Sequence, residues 1–519
     1  MVIQTQGSPR IFRRALAGGR TLLGHHRIFA TAAAVAVIPR VLAMLGYEPA
    51  LLIRLDSYDY LWGAARLSPN LINVSGYSVF LWLLRPLHSL AVIVLVQHAM
   101  GLAVATMVYA LLRRYGLPAW GATLAAAPVL FDPGQLAAEQ LIMADLLAMT
   151  LMMAGLMVLF IPRAPSWPAI VIAGLLTGAS ATVRPTALPL IVLVPAYLLL
   201  REGGWRRAAG WLRGGLGLAA GLAPVLAYVG WFAAAHGTVT LTDSDGLFLW
   251  ARTMSFANCA AIRPPADLRA LCPGAQPRTL AQYDPSLRPP PYTYLWDHNA
   301  WQWQHAQPGH VTGTAAFTPA NNSRALRFAV RAVEAQPIAY AGVVARDSLR
   351  SFGFTNSLRF PGGQPSTTTM PAADRQYTIG AILAYAGNNQ GISADLGGGQ
   401  ATRLQPPFAT IMHYYQRFFY LPGPVLALIV LAGLAGCLIA RRRSAEGTFL
   451  WITAVILMIV PTAEHEYAYR YILPTVPLAC AAAALALRRP ASQPLAEPLD
   501  EPLDPPATSP ESVREEISG

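Results

Sequence analysis

The segment Asp56-Ser57-Tyr58-Asp59-Tyr60 carries two carboxylates three residues apart, just after the first long apolar run, about Ile28 to Leu45, has ended. A carboxylate in that position can take a proton from a hydroxyl, which is the work of a general base. Further acids stand near other apolar runs: Asp132 and Glu139, then Glu464 and Glu466. Arg54, Arg184 and Arg470 occur at similar predicted depth. A guanidinium offers a planar fork of donors that matches a phosphate, so these acids and arginines, brought into one cavity, could hold an anionic headgroup beside a base. The alternative is that they pair with one another and close the structure. Which holds depends on the elements that carry them.

Those elements read as membrane helices. Of 519 residues, 54% are hydrophobic and 12% charged, with a mean hydropathy of +0.40. Such a composition excludes an ordinary soluble enzyme. A bilayer core takes about 20 apolar residues per helix, and the apolar runs predict an all-α polytopic protein of about ten transmembrane helices. They lie near 28–46, 89–112, 117–131, 138–161, 167–182, 186–200, 214–233, 421–440, 448–462 and 471–487. Several are short, which implies tilted, broken or shielded helices. The first lacks a small-residue cleavage site followed by a polar start, so it is expected to be retained.

Arginine sets the expected orientation. The chain has no Lys, so all 38 basic residues are Arg. Arg10, Arg13, Arg14, Arg20 and Arg27 precede the first run, and Arg113-Arg114, Arg163, Arg201, Arg206, Arg207, Arg213, Arg441-Arg442-Arg443 and Arg488-Arg489 occupy alternate connections. The positive-inside rule puts these connections and both termini in the cytoplasm of a multi-pass cell-membrane protein. The segments 47–88, 132–138, 183–185, 234–420 and 463–470 then face outward. The net charge of +12 is this topological signal, and no nucleic-acid partner is expected.

Four regions follow. Residues 1–233 form an N-terminal transmembrane core. Residues 234–420 form an outward-facing α/irregular insertion between the seventh and eighth spans. Residues 421–487 return to the membrane. Residues 488–519 repeat Pro-Leu-Ala-Glu and Pro-Leu-Asp-Glu, with too little apolar surface to fold, and read as a disordered cytoplasmic tail. Within the insertion, 322–352 mixes apolar residues with Arg and is broken by Pro337, which predicts two amphipathic helices at the outer membrane surface. Cys259 and Cys272 are expected to pair in an oxidising exterior, a cross-link worth on the order of 3 kcal/mol. Trp296, Trp301 and Trp303, close to His298 and His305, could stack on sugar rings or pack a core. The spacing of His298, His305 and His310 fits no helical metal-ligand pair. Gly215-Leu216-Gly217-Leu218-Ala219-Ala220 matches a dinucleotide fingerprint only on paper, because it opens a membrane run with no preceding strand; like Gly174-x-x-x-Gly178 it reads as helix packing.

Several motifs in order carry a resemblance. One long run is followed by an outward loop with an early acid and then by Ser75-Gly76-Tyr77-Ser78-Val79-Phe80-Leu81. Next come Ala138-Glu139-Gln140-Leu141, Val183-Arg184-Pro185 and Arg470-Tyr471-Ile472-Leu473-Pro474. Over about 1–235 and 420–487 the chain resembles the GT-C membrane glycosyltransferases, which use polyprenyl-phosphate sugars. The first loop departs from that pattern in having Asp-x-x-Asp, and Ser78 stands where the turn would carry a second Pro. The resemblance implies transfer of a sugar from a polyprenyl-phosphate donor to a glycan or lipid acceptor of the cell envelope, on the outer face of the bilayer. It implies Asp56 as catalytic base with Asp59 as substitute, and Glu139 as an orienting group or as a partner of Asp56 in holding a divalent metal, Mg or Mn. Arg184, Arg470 and Arg54 would hold the donor phosphate, and Trp296, Trp301 and Tyr467 would contact acceptor or sugar. The Arg-only composition is compatible with a bacterial, actinobacterial envelope enzyme. The rival from another class is a lipid or glycan flippase that uses the same polar groups as a path; a third reading is an envelope assembly protein without catalysis.

Overall fold

The computed structural model describes residues 9–52, 56–162, 164–275, 291–297, 299–305, 315–353, 370–371, 402–439 and 444–488. Arg54, His298, His310 and the predicted tail from 489 onward lie outside the described residues. The described chain is nearly all helix. Five helical stretches are long and apolar enough to cross a membrane: His26–Gly46, Leu90–Arg114, Ala208–His236, Ala445–Glu464 and Tyr469–Leu487. Phe408–Phe418 and Gly423–Leu438 make a sixth if the pair, bent by 53°, is one span. Ala119–Phe131, Asp145–Phe160, Trp167–Val183 and Pro185–Leu200 are apolar but shorter.

In chain order the first half contains α1 (Pro9–Gly46), α2 (Asp56–Arg66), α3 (Gly76–Leu84), α4 (Leu90–Arg114), α5 (Ala119–Phe131), α6 (Pro133–Gln140), α7 (Asp145–Phe160), α8 (Trp167–Val183), α9 (Leu190–Leu200) and α10 (Ala208–His236). The run predicted as one span over 138–161 is two elements, because the chain leaves helical geometry between Gln140 and Asp145. There the segment after α1 competes for its backbone: Leu51 N donates to Gln140 O at 2.9 Å and Ile142 N donates to Leu51 O at 3.1 Å. The Ser57 hydroxyl donates to Ile142 O at 2.8 Å, so α2 is fastened to the same stretch. Pro185 ends α8 for a different reason, since the residue before a proline is driven out of the helical region, and Arg184 is extended at φ −143°.

Apolar packing alone gives membrane helices little reason to associate, so close backbone approach matters. α8 and α10 meet at glycines. A Cβ on Gly174 would stand 2.7 Å from the Ala220 methyl and 2.9 Å from Gly217 O, and one on Gly178 would strike Gly221 O. Elsewhere the bundle core is continuous, with Val104, Leu112, Leu130, Met153, Phe160, Leu190, Leu450 and Leu478 buried together.

A lobe stands between α10 and the last helices. It contains α11 (Asp245–Thr253), α12 (Cys259–Ile262), α13 (Pro291–Trp296), α14 (Trp301–Gln304), α15 (Pro319–Ala335) and α16 (Pro337–Leu349). Proline occupies the first turn of both α15 and α16, where its missing N–H costs nothing, so the chain re-enters a helix immediately after Gln336. The lobe core is Trp250, Trp301, Phe317, Phe328 and their neighbours. A disulfide joins Cys259 and Cys272, with Cα atoms 6.1 Å apart. The chain then forms α17 (Phe408–Phe418), α18 (Gly423–Leu438), α19 (Ala445–Glu464) and α20 (Thr475–Leu487). The lobe is bonded to the C-terminal end of α19: Ser348 and Thr462 share a hydroxyl hydrogen bond of 2.8 Å, and the Tyr340 hydroxyl donates to Ala463 O at 2.9 Å. A two-residue strand β1 (Tyr47–Glu48) pairs antiparallel with β2 (Arg403–Leu404), tying the approach to α17 onto the end of α1.

Candidate functional site

Two polar clusters dominate this end of the bundle. The first begins with Asp56, the opening residue of α2, where the unpaired N–H groups of a helix start favour a negative side chain. Its Oδ2 accepts from Arg470 Nη1 at 2.8 Å, across 414 residues of sequence. Arg470 lies in a single tight turn, Tyr469–Ile472, ahead of Pro474 and α20. Its Nη2 donates to the Tyr471 hydroxyl at 3.1 Å. The Arg470 guanidinium lies 5.0 Å from the centre of the Tyr471 ring, and that of Arg184 lies 5.2 Å from the same ring. Arg184 in turn gives Nε and Nη2 to Asp145 Oδ1, at 3.0 and 2.6 Å. Two arginines thus share one aromatic ring, and each carries its own carboxylate.

Asp59 sits one turn from Asp56 on α2. Burial, then the neighbouring Asp56 charge, push its carboxyl up from 3.8 to about 8, against a smaller opposing effect of a hydrogen bond with Asn73. The two acids three residues apart therefore differ: Asp56 is ion-paired with Arg470, whereas Asp59 is held protonated near neutrality. His465, just beyond α19, stands between the charges of Arg470 and Arg252; burial first and these two cations second drive its imidazole down to about 3, so it is neutral.

The second cluster surrounds Glu139, which is fully buried. Its Oε1 accepts from Arg40 Nη2 at 2.9 Å and Gln135 Nε2 at 3.1 Å, and its Oε2 meets His98 Nδ1 at 2.8 Å. Arg40, on α1, also donates to Ala36 O and Leu130 O. Gln97 bonds Glu139 O and Leu141 O, and it accepts from the Tyr77 hydroxyl, so the Ser-Gly-Tyr segment anchors to this network through its ring. Among the described residues Glu139 and Asp56 have no partner in common: one is enclosed by Arg40, Gln135 and His98, the other is on Arg470. That donor set does not suit a divalent cation shared by the two, and among the described residues no group of three or more His, Cys, Asp and Glu side chains is arranged around a metal position.

The remaining expected residues have structural surroundings. Asp132 caps α6, accepting from Gly134 N and Gln135 N, and its second oxygen accepts from Leu421 N at 2.7 Å. Trp301 is buried against Trp250, ring centres 6.2 Å apart, and Trp296 leans on Phe317; these aromatics fill the lobe core. Tyr467 is buried with Tyr469, Leu421, Leu426 and Ile472. Glu466 lies 3.6 Å from His465.

Asp145, Arg40 and His98 carry much of this geometry and were not singled out from the sequence. Each is an ionisable side chain inside or at the edge of an apolar run, and such a residue in a membrane segment needs a partner. That signal was available; it says that a partner exists and leaves its identity open. No protein-family model matches the chain, and comparison with curated proteins finds no match.

Proposed function

We propose that the protein is a multi-pass membrane glycosyltransferase of the GT-C type, in which the four shorter apolar helices complete a bundle of about ten spans. It moves a sugar from a polyprenyl-phosphate donor to a glycan or lipid acceptor at the outer face of the cell membrane. One observation carries the reading: Arg184 and Arg470 lie over the same Tyr471 ring, each paired with a carboxylate, at one end of an apolar bundle. A paired guanidinium is a phosphate site already provided with a competitor. When the donor phosphate takes Arg470, Asp56 is released from its ion pair and becomes available as a base. Asp56 then accepts the proton of the acceptor hydroxyl as that oxygen attacks the anomeric carbon. The bond from that carbon to the phosphate oxygen breaks, and the departing polyprenyl phosphate keeps the electron pair, its charge held by the two arginines. No step is routed through a metal.

The flippase reading keeps one specific observation, the Arg40–Glu139–His98 cluster enclosed among the helices, since ionisable groups inside a bundle often mark a transport path. The two are separated by purified protein in nanodiscs given radiolabelled polyprenyl-phosphate sugars, mannose and arabinose among them, with an envelope extract as acceptor. Wild type should transfer label and Asp56→Asn should lose transfer while still binding carrier. Movement of carrier across liposomes by both proteins, with no transfer by either, would favour the flippase.

A further inference from the structure

Asp145 opens α7 and is buried, with about 5% of its surface exposed. Its Oδ1 takes both hydrogen bonds from Arg184, while its Oδ2, also buried, has no hydrogen-bond partner among the described residues. An unpaired buried carboxylate oxygen is costly, on the order of 1–3 kcal/mol or more for a charged group, so its persistence calls for a donor from outside the protein. Asp145 lines a cleft walled by Ala148, Met149, Met152 and Leu457 on the apolar side and by Ser180, Arg184, Thr186 and Tyr471 on the polar side. The cleft has room for about one water-sized group, the size of a hydroxyl. The Ser180 hydroxyl already donates to Ala148 O at 2.8 Å, which leaves Oδ2 as the unmet acceptor in the wall.

We infer that this cleft is a socket for one hydroxyl of the sugar whose phosphate Arg184 holds, with Asp145 Oδ2 as the acceptor of that hydroxyl. The inference rests on the transferase reading and adds a residue that selects the sugar. Asp145 does two things at once: Oδ1 fixes the Arg184 fork, and Oδ2 reads a donor beside it. A site built to accept a hydrogen bond discriminates strongly against a ligand that cannot supply one, because the acceptor is then left buried and unpaired.

The test compares binding of a polyprenyl-phosphate sugar with binding of the same polyprenyl phosphate lacking the sugar, in nanodiscs, for wild type and two variants. Asp145→Asn keeps an oxygen for Arg184 and presents an NH2 donor in place of Oδ2; Ala148→Leu leaves Asp145 intact and fills the cleft. Wild type should prefer the glycosylated carrier by roughly 10- to 100-fold, and both variants should lose that preference, Ala148→Leu while binding the bare carrier as before. A preference that survives in both variants means that the cleft holds only a water, and the socket is wrong. Equal binding of the two carriers by wild type also overturns the socket while leaving carrier recognition intact. Binding of neither carrier by wild type removes the transferase reading and the socket with it.

Discussion

Asp59 offers a direct test of how the two acids of the first loop divide their work. With its carboxyl at about 8, Asp59 is protonated over ionised by roughly ten to one at neutrality, so it adds little charge beside Asp56. Raising the pH through about 8 adds a second charge one helical turn from Asp56. Charges at i and i+3 stand roughly 6 Å apart, and at an effective dielectric near 20 their repulsion is about 3 kcal/mol before further screening. An anionic donor phosphate approaching the same place meets that added charge, so kcat/KM for the donor should fall about 10- to 100-fold as pH rises through this region. Asp59→Asn fixes the neutral form, so it should keep near-neutral activity and flatten the alkaline limb. Stability has the same sign. Between about 4 and about 8 the folded protein holds a proton that the unfolded chain has released, so the stabilisation is complete below the window and is lost as pH rises through it. Thermal unfolding in detergent should show that decline in wild type and a shallower one in Asp59→Asn. A donor profile that is flat through 8 in wild type, or a limb that persists in Asp59→Asn, would refute the assignment of Asp59 as the protonated partner.

Other expectations concern the surrounding contacts. Arg470→Lys keeps a positive charge but loses the fork and the broad contact with Tyr471, so the donor KM should rise about tenfold with a smaller change in kcat; an unchanged KM in steady-state kinetics would count against Arg470 as a phosphate ligand. Arg40→Met takes the guanidinium from the buried Glu139, leaving it only Gln135 and His98, and should cost about 3–5 kcal/mol, most of it recovered in the double variant with Glu139→Gln. Equal unfolding midpoints for the single and double variants would deny that pair its role. Replacing Cys259 and Cys272 by Ser should lower the stability of the lobe by about 3 kcal/mol, read as earlier proteolysis around α12 to α14; an unaltered cleavage pattern would mean that the lobe core suffices alone.

The apolar runs were legible because hydropathy over a span is a local property. The two helices meeting at Pro337 were legible for a local reason too, since a proline favours the first turn of a helix and disfavours its interior, although Pro39 and Pro224 are carried inside α1 and α10. The partners of the charges were not. Asp56 with Arg470, and Arg184 with Asp145, are matched by tertiary placement, and a sequence read in one dimension offers each acid several arginines. The break at 141–144 escaped because Leu141, Ile142, Met143 and Ala144 are as apolar as the helices on either side. Partners far earlier in the chain hold them out of helix: the Leu51 backbone, the Ser57 hydroxyl and the Gln97 side chain. The tryptophans of the lobe could be read as a sugar platform or as a core, and burial of Trp301 against Trp250 places it in the core.

The ion pair between Asp56 and Arg470 spans 414 positions of the chain, and this has a consequence for biosynthesis. At roughly 5–20 residues per second, about 20 to 80 seconds separate the emergence of one partner from that of the other. Throughout that interval Asp56 has no arginine from the final helix to neutralise it, and Arg184 and Asp145, made in between, must find each other first. Until that last segment is made, Asp56 lacks the arginine that pairs with it in the finished structure. Any truncation before Tyr469 would leave the lobe translated beside a site that lacks Arg470, so synthesis of the Tyr469–Ile472 turn is what supplies the second partner of the ion pair.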